Sequence, residues 1–359
     1  MTIEKAHNDG RENTGNDSEK QEGAQAGAQH MISHDNVQSH AEWLANLDEI
    51  DRLEMEAGGV LAVPKAWAHC LTDDRAFRYE WAKRALQQSF LQATGAEAIE
   101  LRRGPCDIYA SNVEANLLEG VPFVDLRQAF DDGKGQELHG EATHPPKMAA
   151  IHSSSALVVN TFGPWYRDPS HVVVNGHRGF TTITFEAQVP HGLKGTPPHL
   201  DVRLDADDRV LAIESKCLEY LYPMRKPARF APAYDTIVDQ RAQSPWFRHI
   251  AALRENSERY RYLDAAQLIK HYLGLSHSEP TKSLTLLYLF WEPRNWQEFE
   301  VFRQHRAEIR EFSDVMAGDR VRFEAFSYND LWAEWEQMQM PGWLAAHLQR
   351  LKARYSVDL

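Results

Sequence analysis

The chain is 359 residues long, 43% hydrophobic and carries 10 tryptophans, enough apolar material for one large domain or two smaller ones, which excludes a wholly disordered polypeptide. Its 39 basic and 52 acidic residues leave a formal charge of −13, the wrong sign for gripping nucleic acid through a global basic field, so contact with DNA or RNA must come from a local patch. Three scattered cysteines (Cys70, Cys106, Cys217) exclude a disulfide framework and a zinc module, and the glycine-rich nucleotide-binding signatures are missing.

The N-terminus has no charged-then-apolar signal pattern and no run of ~18 apolar residues follows it, so a soluble cytoplasmic protein without a membrane partner is expected. Residues 1–40 contain no aromatic residue and carry seven acidic against three basic side chains. They read as a disordered acidic tail, because they hold too little apolar area to offset the entropy of ordering. From Ala41 to about Leu101 the pattern turns helical. Trp43, Leu44, Leu47, Ile50 and Leu53 follow a helical period, as do Trp81, Ala85, Leu86, Phe90 and Leu91, with Gly58, Gly59 and Pro64 between them. Residues 104–146 read as irregular, punctuated by Gly104-Pro105, Gly120, Gly133, Gly135 and Pro145-Pro146.

A compact apolar segment from Met148 reads as a helix that stops at Gly163-Pro164. Its Ser153-Ser154-Ser155 run suits either close backbone packing or a polar site. Gly179 to Val189, GFTTITFEAQV, has the β-branched and aromatic character of a strand.

Residues 197–219, PPHLDVRLDADDRVLAIESKCLE, form the centre of the pattern. Two strands are joined by an acidic turn (Asp205, Asp207, Asp208). On the first, Leu200, Val202 and Leu204 alternate with Asp201, Arg203 and Asp205; the second runs from Val210 to Ile213 and then Glu214, Ser215 and Lys216. Side chains two apart share a strand face, so Glu214 and Lys216 point the same way, with Asp201 in reach on the neighbouring strand. Two carboxylates beside one lysine suit a hard divalent cation such as Mg²⁺. Taken alone, the triplet suits an ordinary cross-strand ion-pair cluster better; the apolar lead-in strand, the upstream Asp201 and the helix and strand that follow favour the metal site.

Between Tyr222 and Tyr262 eight basic residues, among them Arg225, Lys226 and Arg229, outnumber four acidic ones, with Tyr222, Phe230, Tyr234, Trp246, Phe247, Tyr260 and Tyr262 interleaved. This composition suits phosphate contact with base stacking, or a basic helical surface packed through its aromatics. YLDAAQLIKHYLG reads as a helix with Leu263, Ala266, Ile269 and Leu273 on one face, Gln267, Lys270 and His271 on the other, and Gly274 as C-cap. SLTLLYLFWEP has the near-continuous apolar run of a strand buried on both faces. A helix over 296–313, a strand at VRFEAFSY and a helix capped by Ser327-x-x-Asp330 complete the alternation.

The order of Asp201, Glu214-x-Lys216 and Gln267 on successive elements resembles the PD-(D/E)XK nuclease superfamily, with its restriction-endonuclease-like fold, over roughly residues 137–335. GQELHG, HSSSALVVNTFGPW, ESKCLE and YLDAAQLIKHYLGL are similar to a bacterial group of uncharacterised restriction-type endonucleases within it. The resemblance implies an α/β core over 136–359, a central mixed sheet flanked by helices, with a mainly helical extension over 41–135. It implies Mg²⁺-dependent hydrolysis of DNA, with Mn²⁺ as substitute. Asp201, Glu214 and the main-chain carbonyl of Ser215 would hold the metal, and Lys216 would position the attacking water. Gln267 would face the site, and Glu137, with Glu186 as the alternative, would stand in for the acidic residue many members carry on their first helix. Arg225, Lys226 and Arg229 are the candidate DNA contacts, and cutting both strands with one site per chain favours a homodimer. Two departures stand out: His199 and Leu200 separate Pro198 from Asp201, and the first helix carries no Glu. The competing class is an inactive nuclease-fold protein that binds nucleic acid or protein. A serine hydrolase built on Ser153–Ser155 lacks the surrounding G-x-S-x-G.

Overall fold

The computed structural model describes residues 74–359 apart from 95–98, 102–107, 133–136, 141–144, 194, 196, 223–229, 236–242 and 339–340. The expected acidic tail, the helix over Trp43–Leu53, Cys70 and Cys106 lie outside the described residues, as do Arg225, Lys226 and Arg229.

Among the described residues there are eight α-helices. In chain order the elements are α1 (Asp74–Thr94), β1 (Ile99–Leu101), β2 (Ile108–Ala110), α2 (Phe123–Asp132), α3 (Ser154–Phe162), β3 (Thr182–Gln188), β4 (His199–Asp205) and β5 (Arg209–Lys216). Then follow α4 (Pro245–Glu255), α5 (Ala265–Ser278), β6 (Ser283–Phe290), α6 (Glu300–Met316), β7 (Val321–Ser327), α7 (Tyr328–Glu336) and α8 (Gly342–Tyr355). No described helix is long and apolar enough to cross a membrane.

β3 to β7 form one sheet in sequence order, antiparallel from β3 to β5 and parallel from β5 to β7. The switch to parallel pairing follows from the long helical connections after β5 and β6, since a parallel neighbour needs a crossover. β5 and β6 sit between helices on both sides, which explains their unbroken apolar runs. On one face Leu211, Ile213, Leu287 and Leu289 pack with α3, α7 and α8; on the other Val210, Ala212, Leu284 and Leu286 pack with α4 and α5.

The structure departs from the sequence reading in several places. Residues 123–132 are a helix, with Leu126 and Phe130 one turn apart in the core, although the glycines and prolines around them signal loop. Most of the aromatics interleaved with the basic stretch are core: Trp246, Phe247, Tyr260 and Tyr262 are all at most 4% exposed, which removes these four as stacking platforms for bases, whereas Tyr222 is exposed. Gly274 does not end its helix, because α5 continues to Ser278; a Cβ there would lie 2.6 Å from the carbonyl oxygen of Val189, so this glycine permits close helix-to-strand approach. Ser153 is the N-cap of α3, accepting from the Ala156 N–H at 3.2 Å. The capping box at Ser327 and Asp330 is present as read.

α8 ties the N-terminal elements to the core through Arg354, which is 2% exposed. Its guanidinium donates to the carbonyl of Leu86 on α1 (3.1 Å), to Asn116 Oδ1 (2.8 Å) and to the carbonyl of Ile151 (2.9 Å). This anchors the segment that leads into the serine run.

Candidate active site

β4 and β5 pair from Asp205↔Val210 to Val202↔Ile213, and the ladder ends there. Asp201 and Glu214 occupy the next position, where the strands part. β5 keeps its other neighbour, pairing with β6 as far as Lys216↔Phe290. Asp201 Oδ2 fills the missing backbone acceptor by taking the Ser215 N–H at 2.6 Å. Both main-chain polar groups of a strand residue face the same neighbour, so the Ser215 carbonyl opens on the same gap. The Ser215 hydroxyl lies 2.6 Å from Tyr328 Oη at the start of α7, which fixes that residue from the opposite face.

Glu214 is 2% exposed and both of its oxygens are engaged. Oε1 pairs with Lys216 Nζ, and Oε2 lies 2.8 Å from His271 Nε2, too oblique for a full hydrogen bond. Burial pushes the Glu214 carboxyl up, but the charges of Lys216 and His271 outweigh it and bring it down to about 2. For Asp201, burial and the neighbouring Glu214 carboxylate dominate and hold it well above the usual carboxylate range. Burial alone would lower Lys216; Glu214 and Asp201 reverse this and raise it. The cluster is thus an anchored Glu214–Lys216 ion pair beside an aspartate whose ionised form is disfavoured by burial and by Glu214, with the Lys216 charge only partly offsetting them.

Glu186 stands opposite Asp201: its neighbours pair as Phe185↔Val202 and Ala187↔Leu200, and the position between is unpaired. Its φ is 50°, the left-handed region that a residue with a Cβ rarely enters. The hairpin bends here, because Phe185 and Val202 belong to one core layer whereas Ala187 and Leu200 belong to the other. Burial, then the charges of Glu137 and Glu214, raise Glu186 to about 7. His199 Nδ1 is 3.7 Å from its carboxylate.

Glu137 reaches the same region from the segment before α3. Ser155 Oγ donates to its Oε2 at 2.9 Å and Lys147 Nζ lies 3.3 Å from Oε1. The serine run therefore serves both a cap and a polar site. Gln267 donates its backbone N–H to the Asp264 cap at 2.9 Å, and the side chain of α5 that meets Glu214 is His271, one turn further on. Sequence reasoning placed His271 on the correct face beside Gln267 yet gave it no role; its spacing from Gln267 was the available signal. His199 was missed as well, although it stands two residues before Asp201 on the same strand. Of the acidic turn, Asp205 is spoken for structurally, pairing with Arg203 at 2.7 Å and Lys282 at 3.3 Å.

These donors fit a hard cation that keeps much of its water: two carboxylates, Asp201 and Glu214, and one backbone carbonyl, Ser215. Among the described residues no group of three or more His, Cys, Asp or Glu is arranged to hold a metal, so side chains alone would not complete its shell.

A mixed five-stranded sheet between helical layers, with a carboxylate pair and a lysine where two strands part, defines a restriction-endonuclease-like α/β core. The family model described as "Restriction Endonuclease associating with ARP" matches residues 84–356, and the chain belongs to that family. Comparison with curated proteins and with solved structures finds no match.

Proposed function

We propose that the protein is an endonuclease that hydrolyses DNA phosphodiester bonds with Mg²⁺, or Mn²⁺ in its place, held by Asp201, Glu214 and the Ser215 carbonyl. The observation that carries this reading is the position of Asp201, Glu214 and Lys216 together at the point where β4 and β5 separate. When bound, the cation supplies charge neutralisation at phosphorus and acidifies water. Lys216, held in place by Glu214, donates to the attacking water and orients it. Asp201 takes its orientation from the Ser215 N–H. Glu186 or Glu137 supplies the third carboxylate, and Glu186 has the register position opposite Asp201. The family description supports DNA as substrate. A bacterial, cytoplasmic setting belongs to the same proposal, and one site per chain favours a homodimer if both strands are cut.

Supercoiled plasmid, linear duplex and single-stranded DNA incubated with Mg²⁺ or EDTA test the activity. Lys216→Ala is expected to abolish cutting, and normal cutting by a folded Lys216→Ala protein removes the assignment. A second reading has its own observation: Glu214 already has both oxygens paired, as in a closed ion-pair cluster of a non-catalytic binding protein. Mn²⁺ titration separates the two. Binding raises the melting temperature of the wild type through linkage and is lost in Asp201→Asn, whereas a closed cluster leaves both proteins unmoved.

A further inference from the structure

Beyond Lys216 the chain leaving β5 runs through Leu218 and Glu219 to Tyr222, and these residues form one wall of a cavity of about 720 Å³. Across it lie the serine run, Lys147 and Glu137, with Tyr79 of α1 beside Tyr222. Two carboxylates of its lining, Glu137 and Glu219, interact electrostatically with the cluster. Glu137, tied to Ser155, bears on Glu186, and Glu219, which accepts the Cys217 N–H at 2.7 Å, bears on Lys216.

Its lining divides by chemistry. At one side stand two tyrosine rings edge-on, Tyr79 and Tyr222, with centroids 5.0 Å apart, and Tyr79 Oη lies 3.4 Å from His152 Nε2. Tyr222 is 42% exposed, unlike the buried aromatics that follow it in sequence. The lining also holds the Lys147 ammonium, 61% exposed and paired with Glu137 at 3.3 Å, and the hydroxyls of Ser153 and Ser154. Ser153 Oγ accepts from the Ala156 N–H, which leaves its own proton to donate. An aromatic face beside a cation and hydroxyls matches a nucleotide, with its flat base and its phosphate. The volume lies within the range of about 300–1,000 Å³ that holds small ligands.

We propose that this cavity receives an unstacked nucleotide of the strand being cut, its base on the Tyr222 ring and its phosphate toward Lys147 and the serine hydroxyls. The substrate is therefore single-stranded or locally melted DNA; this rests on the nuclease reading above. A paired base inside a duplex cannot enter a concave site without leaving the stack. The overall charge of −13 points the same way, because it opposes a duplex dense in phosphate, whereas stacking on a tyrosine needs no global basic field.

Fluorescence anisotropy in EDTA, where no strand is cut, measures the affinity of the full chain for a labelled oligothymidylate and for a blunt duplex of matched length. Wild type is expected to prefer the single strand. Tyr222→Ala weakens that binding by roughly tenfold, Tyr222→Phe keeps it, and duplex binding is unmoved by either. Equal affinities of wild type and Tyr222→Ala, or a loss in Tyr222→Phe as large as in Tyr222→Ala, overturn the proposal. Cleavage with Mg²⁺ is scored separately. Tyr222-dependent binding without cutting by the wild type sinks the nuclease reading and leaves the cavity's ligand standing. Cutting of single strands with the same KM in wild type and Tyr222→Ala does the reverse.

Discussion

Glu214 is the most heavily committed side chain of the cluster, buried between Lys216 on its own strand and His271 from α5. Removing one partner of a buried pair orphans the other, ordinarily at about 3–5 kcal/mol. In Lys216→Ala the carboxylate keeps His271, so we expect a loss of about 1–3 kcal/mol in denaturant unfolding, with circular dichroism unchanged at room temperature. Loss of cleavage in that variant then reports chemistry, and an unfolded spectrum contradicts the expectation. Gly274 makes a second residue-level case. Its missing Cβ lets α5 rest on the Val189 backbone, and Gly274→Ala forces a 2.6 Å contact with a carbonyl oxygen. We expect about 1–3 kcal/mol of destabilisation despite alanine's better helix propensity, and a stability equal to wild type contradicts the packing argument.

At the scale of elements, the site depends on where strands stop and how helices begin. The β4–β5 ladder ends one residue before Asp201, and the bend at Glu186 turns the hairpin from one core layer to the other. α7 begins at Tyr328, whose hydroxyl contacts Ser215, and its start is set by the Ser327–Asp330 capping box. Ser327→Ala is expected to lower stability by about 1 kcal/mol, measured as a shift in the urea midpoint, with a larger loss showing that the hydroxyl does more than cap. The capping box, the buried strand β6 and the charged hairpin were legible in the sequence, because each rests on spacing within a few residues. α2 was not, since the punctuation around it outweighed a single turn of apolar spacing. The bend at Glu186 was not legible either, because nothing local distinguishes a left-handed glutamate from an extended one.

Across the whole molecule the sheet separates two core layers, and the second contains a buried titratable group away from the site. His249 on α4 is 3% exposed between the rings of Tyr260 and Phe312, and burial, with Arg259 adding to it, lowers it from 6.5 to about 4. Its imidazolium is disfavoured in the fold, so the unfolded chain takes up the proton first as pH falls. Stability from this group is present above pH 6.5 and is lost between pH 6.5 and about 4, amounting to about 2 kcal/mol after allowance for partial solvent screening. His249→Phe is expected to flatten the melting-temperature profile in that window; an unchanged slope assigns the acid sensitivity elsewhere. The same division explains the reading of the chain from Tyr222 to Tyr262, where composition left open whether the aromatics bind bases or fill the core. Helices α4 and α5 bury Trp246, Phe247 and Tyr272 against the sheet, and only Tyr222, ahead of them, remains 42% exposed beside a cavity. By itself the sequence determined the charged hairpin, the buried strand β6 and the capped start of α7, and it put Asp201, Glu214 and Lys216 on neighbouring strands, because period and residue type are local properties. Only the tertiary structure decided that His271 reaches Glu214, that Glu186 faces Asp201, and that Glu137 enters from a preceding loop. Those meetings join residues far apart in the chain, and no local pattern encodes the distance between them.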